Sequence, residues 1–191
     1  MDNSKDKYDI GVIHGRFQVL HNDHIKYLIA GKQLCDHLIV GITNPDPTLT
    51  KNSEASPHRS SPLANPLTYY ERYIMLKTAL LEQGLKFSEF SIVPFPINYP
   101  NLLKNYVPCD KIFFLTIYDD WGRQKKEVLE SLGLKVHVLW EVSLEKKGLS
   151  SSDIRESMIK GEQWEHLVPT SVAKLLKKWN IIQRLRNMMV K

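Results

Sequence analysis

Residues 14–24 read HGRFQVLHNDH, a stretch that gathers His14, His21 and His24 with Arg16 and Asp23. The apolar run YDIGVI precedes it and the helically spaced IKYLIAGKQLC follows, so the cluster falls on a strand-to-helix turn. Unpaired amide groups and a partial positive charge at a helix start favour anions. Two imidazoles one helical turn apart, with a guanidinium beside them, add donors, and together they suit a polyphosphate. An HxxH spacing also suits a transition metal, but the sequence offers no third ligand and lacks the His–Glu pair of a metalloprotease helix. For His14, a core role and a ligand contact stand level. A second cluster, GLSSSDIRESM at 148–158, places three serines and an aspartate at another helix start with Arg155 in its first turn. Taken alone it reads as a well-capped surface helix, because Asp153 and Glu156 have capping-box spacing. Taken with the first cluster, it points to one nucleoside triphosphate held between two helix starts.

The elements that must position these residues are legible from periodicity. Short β-branched or aromatic runs at 10–13, 37–42, 90–95, 111–115 and 135–140 read as strands, with helices expected at about 22–34, 68–83 and 119–132. Thr68 and Glu71 have capping-box spacing, and Gly84 and Gly133 stand where C-terminal glycines belong. This alternation predicts an α/β fold, a Rossmann-like parallel sheet with helices on both faces. After Trp140 the pattern is helical only, with helices from Ser152 to about Lys160, from about 169, and near 180–189. Val172, Leu175, Leu176, Trp179, Ile182 and Leu185 form one apolar stripe, expected to cap the sheet. The organisation expected is a core over 1–142 and a C-terminal helical part over 143–191, together one compact domain. Residues 43–66, rich in proline and small polar residues, follow the second strand at its carboxyl end, and read either as a lid over a site or as a floppy insertion.

Composition narrows the function classes. With 42% hydrophobic and 25% charged residues, the chain of 191 residues has the make-up of a globular protein able to bury a core. The net charge of +5 is local: Lys174, Lys177, Lys178, Arg184, Arg186 and Lys191 crowd the C-terminus without an acid. The rest is near neutral, so no nucleic-acid or membrane partner is read from it. Cys35 and Cys109 show no metal-finger or redox spacing and are expected to be buried thiols. The polar start MDNSKDKYD and the absence of a long apolar run make the cytoplasm the simplest address. Self-association is compatible with this composition, which sets no number of copies.

GRFQVLHNDH resembles the GRFQPxHxGH signature of the HxGH nucleotidyltransferase superfamily, and SSSDIR resembles its second motif, ISSTxIR or SGTEIR. With NPLTYYER at 65–72 (similar to NPFTxxER) and WEHLVP at 164–169, the chain is most similar to the archaeal-type nicotinamide-nucleotide adenylyltransferases. The resemblance runs in order from about residue 8 to 178. It implies transfer of a nucleoside monophosphate from an NTP to an acceptor phosphate, with release of pyrophosphate and magnesium carried mainly by the nucleotide. By motif position it makes His21 and His24 contacts of the NTP phosphates, with Arg16 beside them in a turn shared with Gly15 and Phe17. Ser151, Ser152 and Arg155 would bind the triphosphate from the other side.

The departures fall on the acceptor side. The family's stacking aromatic and SGN motif are replaced by PFPINYPNLL at 94–103 and FFLTIYDDWG at 113–122, leaving Asn98, Tyr99, Tyr118 and Trp121 as candidate acceptor contacts. An arginine expected before NPFT is Ala64 here, with Arg59 on the long loop as a candidate substitute. Val19 replaces the proline of GRFQP, and Asp23 replaces the motif glycine. Asp23 is expected to cap the helix or point outward, with contact to magnesium or to a cationic acceptor group as the alternatives. A nicotinamide or nicotinate mononucleotide adenylyltransferase is the leading expectation. A CTP-dependent cytidylyltransferase acting on another phosphate or phosphonate is the alternative, and a catalytically silent nucleotide-binding protein is the second.

Overall fold

In the computed structural model, residues 7–49, 61–143, 145 and 148–189 are described. Five strands form an all-parallel sheet: β1 (Tyr8–Gly15), β2 (Cys35–Thr43), β3 (Phe90–Phe95), β4 (Ile112–Ile117) and β5 (Lys135–Glu141). Their spatial order is β3-β2-β1-β4-β5. β2 and β4 are buried almost throughout and β1 is buried from Gly11 to His14, as expected of strands covered on both faces, and they carry the unbroken apolar runs of the sequence. Pro94 sits in β3, an edge strand, where a missing backbone donor is tolerated.

The helices are α1 (Asn22–Gln33), α2 (Tyr69–Glu82), α3 (Asp120–Ser131), α4 (Ser151–Lys160), α5 (Thr170–Lys178) and α6 (Ile181–Met189). The Thr68–Glu71 capping box is present in both directions at the start of α2. Gly84 and Gly133 take the left-handed conformation just beyond α2 and α3. The capping expected of Asp153 is corrected: Ser150 caps α4 by accepting from the Asp153 amide, one turn earlier than the Asp–Glu spacing implied.

Alternation along the strands feeds two cores. Val12, Phe95, Phe113, Leu115 and Leu129 pack on the α3 side. Ile13, Leu28, Leu38, Leu76 and Phe114 pack on the other, and the same cluster takes in Ile154, Met158, Val172, Leu176 and Leu185. The C-terminal helices therefore extend the core over α1 and α2; Leu175, Trp179 and Ile182 complete the expected stripe as half-buried neighbours. Cys35 is buried, and burial pushes its thiol up to about 11, while Cys109 is half-buried rather than buried as expected. No helix among the described residues is long and apolar enough to cross a membrane. Residues 50–60, the middle of the expected lid and the location of Arg59, lie outside the described residues.

Candidate active site

A cleft of about 490 Å³ opens at the carboxyl ends of β1 and β4. The chain turns to opposite sides of the sheet there, β1 leading to β2 and β4 to β5, which is where open parallel sheets bind ligands. Its first wall is the turn from β1 into α1, contributing Gly15, Arg16, His21, Asp23 and His24. His21 is the N-cap of α1. Its Nδ1 accepts from the His24 amide at 3.3 Å, and His24 Nδ1 accepts from the His21 amide at 3.4 Å. The two rings stack with centroids 3.6 Å apart. With both Nδ1 atoms acting as acceptors, each neutral ring carries its proton on Nε2 and can donate from there. Burial, then the neighbouring His21 and Arg16, hold His24 well below the usual imidazole range, so it is neutral in the free protein.

The second wall is the approach to α4, from Gly148 to Ser152. It is tied to the first wall at three points. Ser151 Oγ donates to the Val19 carbonyl at 2.8 Å, Arg155 donates to the Gln18 carbonyl, and Asp23 Oδ2 accepts from the Leu149 amide at 2.7 Å. Asp23 Oδ1 takes Lys26 Nζ at 2.6 Å. Burial raises the Asp23 carboxyl, but Lys26 and the Leu149 amide outweigh it and hold the group ionised below the usual carboxylate range. Gly148 lies against this carboxylate, and a Cβ there would collide with Oδ2. Asp23 is thus neither the cap of α1, which is His21, nor outward-facing. It clasps the two helix starts together.

Several sequence candidates lie behind the cleft rather than in it. Arg155 is buried, bound to Gln18 and to Ser152 Oγ at 3.1 Å, and burial lowers its guanidinium to about 10. Phe17 is buried and meets the His24 ring edge-on at 5.1 Å, propping it from beneath. Asn98 donates to Asn44 Oδ1, and Tyr99 caps the 3-10 turn that follows β3; neither lines the cleft. Tyr118 does line it, with its hydroxyl accepting from Trp140 Nε1 at 2.8 Å. Trp121 sits in the first turn of α3, its side chain outside what is described.

Of the third wall the sequence pointed only to Tyr118 and, as one of two readings, His14; Thr116, Asp119, Gly122 and Lys125 carried no signal. Thr116, Tyr118, Asp119, Gly122 and Lys125 line the cleft from the β4–α3 side, and His14 lines it beside them. A register shift between Leu115 and Thr116 in the β4–β5 pairing redirects the strand end here, as bulges beside sites do. Lys125 gave no sequence signal, since a lysine on an amphipathic helix reads as a solvated face. Arg72, the arginine of NPLTYYER, was also unassigned. Buried, it donates to the carbonyls of Thr68, Arg16, Thr43 and Asn44, knotting the ends of β1 and β2 to the start of α2, and burial lowers it to about 10. Gln18 adds a paired bond to the backbone of Leu67 at 2.9 and 3.0 Å. Among the described residues no cluster of three or more His, Cys, Asp or Glu is arranged to hold a metal.

Residues 12–157 match the cytidylyltransferase-like family. The chain is 46% identical over 176 residues to the phosphonoformate cytidylyltransferase of Streptomyces viridochromogenes, covering 92% of this chain and 95% of that protein. It is 33% identical to the nicotinamide-nucleotide adenylyltransferase of Thermococcus onnurineus, over 92% of this chain and 86% of the relative. Among solved structures, a bifunctional NMN adenylyltransferase/ADP-ribose pyrophosphatase from Francisella tularensis superposes with a TM-score of 0.66 at 16% identity, over 94% of this chain. This chain spans 53% of that longer protein, and at such identity the likeness concerns the fold alone.

Proposed function

The chain belongs to the cytidylyltransferase-like family and is a nucleotidyltransferase, and from that premise we propose that it transfers CMP from CTP to a small phosphonate, releasing pyrophosphate. The observation that carries this reading is the near full-length 46% identity to a phosphonoformate cytidylyltransferase, against 33% to an adenylyltransferase. It agrees with the way the sequence departs from the adenylyltransferase pattern, keeping the helix starts at His21–His24 and Ser150–Ser152 and rebuilding the β4–α3 side. The weight thus moves from the adenylyltransferase, which led on sequence resemblance, to the cytidylyltransferase alternative.

In this proposal the NTP phosphates lie between α1 and α4. The phosphonate oxygen attacks the α-phosphorus, a P–O bond forms, and the bond from that phosphorus to the oxygen bridging to the β-phosphorus breaks. Pyrophosphate leaves with that oxygen. A phosphonate is already ionised at neutral pH, so the protein needs no general base, and its work is alignment and charge stabilisation. The Nε2 protons of His21 and His24, Arg16 and the amides of the two helix starts would supply it. The two carboxylates at the cleft are each committed to a backbone amide, Asp23 to Leu149 and Asp119 to Gly122. Such a donor set fits magnesium arriving on the nucleotide rather than in a protein cage, where it would neutralise phosphate charge.

The test is pyrophosphate release from each of CTP, ATP, GTP and UTP with magnesium, paired with phosphonoformate or with nicotinamide mononucleotide. Release is expected with CTP and phosphonoformate. A faster reaction of ATP with nicotinamide mononucleotide would return the adenylyltransferase reading, and NTP binding without release from any pair would leave a silent nucleotide-binding protein.

A further inference from the structure

His14 ends β1 at the floor of the cleft, buried to 6% exposure, and among the described residues neither of its ring nitrogens has a hydrogen-bond partner. It is held there by construction. Its ring lies flat on Phe95, 3° from coplanar with centroids 4.6 Å apart. Phe95 can lean over to it because the neighbouring β2 residue is Gly41, where a Cβ would come within 2.6 Å of the Phe95 ring. A phenylalanine or leucine would fill such a place at lower cost, since a buried polar group without a partner is penalised. The polarity therefore calls for a partner that arrives with a ligand.

The ties between the walls indicate which ligand. Asp23, Ser151 and Arg155 bind the α1 and α4 starts to each other, so the NTP phosphates belong between them. His14 sits on the α3 side of the sheet with Phe95, lines the cleft together with Lys125, and is left to the second substrate. We infer that His14, with Lys125, forms the subsite for an oxyanion group of the acceptor, a phosphonate or carboxylate oxygen, and that His14 determines acceptor specificity. A neutral imidazole suits the place: it offers an N–H to the anion, tautomer choice lets either nitrogen carry it, and it adds no third positive charge beside Lys125 and Arg16. Burial, with Lys125 adding to it, keeps the ring neutral. The inference deepens the nucleotidyltransferase reading and rests on it for the division of the cleft.

His14→Phe keeps the ring and the Phe95 stack and removes both nitrogens. CTP affinity is expected to stay within about twofold of wild type, while KM for phosphonoformate rises at least about tenfold, as for loss of one hydrogen bond to an anion. His14→Asn, which restores a donor, should recover part of that loss. In parallel, the His14 ring-nitrogen signals of ¹⁵N-histidine protein, assigned by their absence in His14→Phe, are followed with an α,β-methylene CTP analogue and magnesium present. They are expected to move on adding inorganic phosphate or phosphonoformate. Signals unmoved by saturating amounts of both, or a His14→Phe enzyme with unchanged KM, overturn the inference. Absence of turnover with phosphonoformate counts instead against the substrate reading, and the phosphate titration then decides the role of His14.

Discussion

At the scale of single residues, the stacked pair His21 and His24 caps α1 through the Nδ1 atoms and leaves Nε2 to donate into the cleft, which is the basis of the role proposed for it. His24→Ala should lower turnover by about 100- to 1000-fold, as for removal of one transition-state donor, and stability by about 1 kcal/mol from the weakened cap. Steady-state kinetics beside urea melts check both; a near wild-type rate would remove His24 from the chemistry. His14 carries a different signature. Burial first and Lys125 second lower it to about 3, whereas the unfolded chain protonates it near the ordinary value of about 6.5. Above that value both states are neutral. Between it and about 3 the unfolded chain alone holds the proton, so native stability falls as the pH drops through this window. The cost is about 1.4 kcal/mol per pH unit, or about 2 kcal/mol by pH 5. Urea melts at pH 7.5 and 5 should show His14→Phe gaining on wild type by about that amount. The histidine pair was legible from its spacing. Phe17 and Arg155, assigned to the phosphates by motif position, have side chains buried beneath the turn, and spacing along a turn does not say which side chains fold there.

At the scale of elements, the Asp23 clasp joins two helix starts separated by more than a hundred residues into the walls of one cleft. A carboxylate where the resembled motif has glycine looks hostile to a triphosphate. Its charge is answered by Lys26 and the Leu149 amide, and the missing Cβ of Gly148 makes room for it. Nothing local in the sequence pairs position 23 with 148 and 149, so the expectations were capping, outward orientation, and contact with magnesium or with a cationic acceptor group. Asp23→Gly should loosen α4 against α1 and raise KM for the NTP about tenfold, while Asp23→Asn, which keeps an acceptor for Leu149, should lose much less. Gly148→Ala should resemble Asp23→Gly by forcing the carboxylate out. The double variant should then be no worse than either single one, because the added methyl enters the space the aspartate vacates. Strictly additive losses in the four-way comparison would mean that residues 23 and 148 do not share that contact.

At the scale of the whole molecule, sheet, helix order and the ends of α2 and α3 were legible because each rests on local spacing: period 2 or unbroken runs for strands, 3.6 for helices, Thr68–Glu71 and the glycines for ends. The caps of α1 and α4, by contrast, were misplaced by three residues or fewer. What the sequence could not pair was charge. The basic C-terminus showed no acidic residue nearby in sequence, yet Arg184 makes a two-pronged contact with Glu71, at 2.7 and 2.8 Å, and also binds the Pro66 carbonyl. Glu71 is 8% exposed and already closes the capping box with Thr68, so one carboxylate fastens α6 to the start of α2. From there Arg72 reaches the carbonyls of Arg16 and Thr43, so α6 is linked through α2 to the turn between β1 and α1. Breaking the pair leaves a buried carboxylate without its cation. Arg184→Met should therefore cost about 2–3 kcal/mol, somewhat below the 3–5 of a fully buried pair because Arg184 keeps partial exposure. Glu71→Gln alone should cost comparably, and the double variant less than the sum, since each single change strands the other's partner. If instead both singles lie within about 0.5 kcal/mol of wild type in urea melts, the contact is a surface pair and the C-terminal helices are held by the Leu176–Leu185 stripe alone.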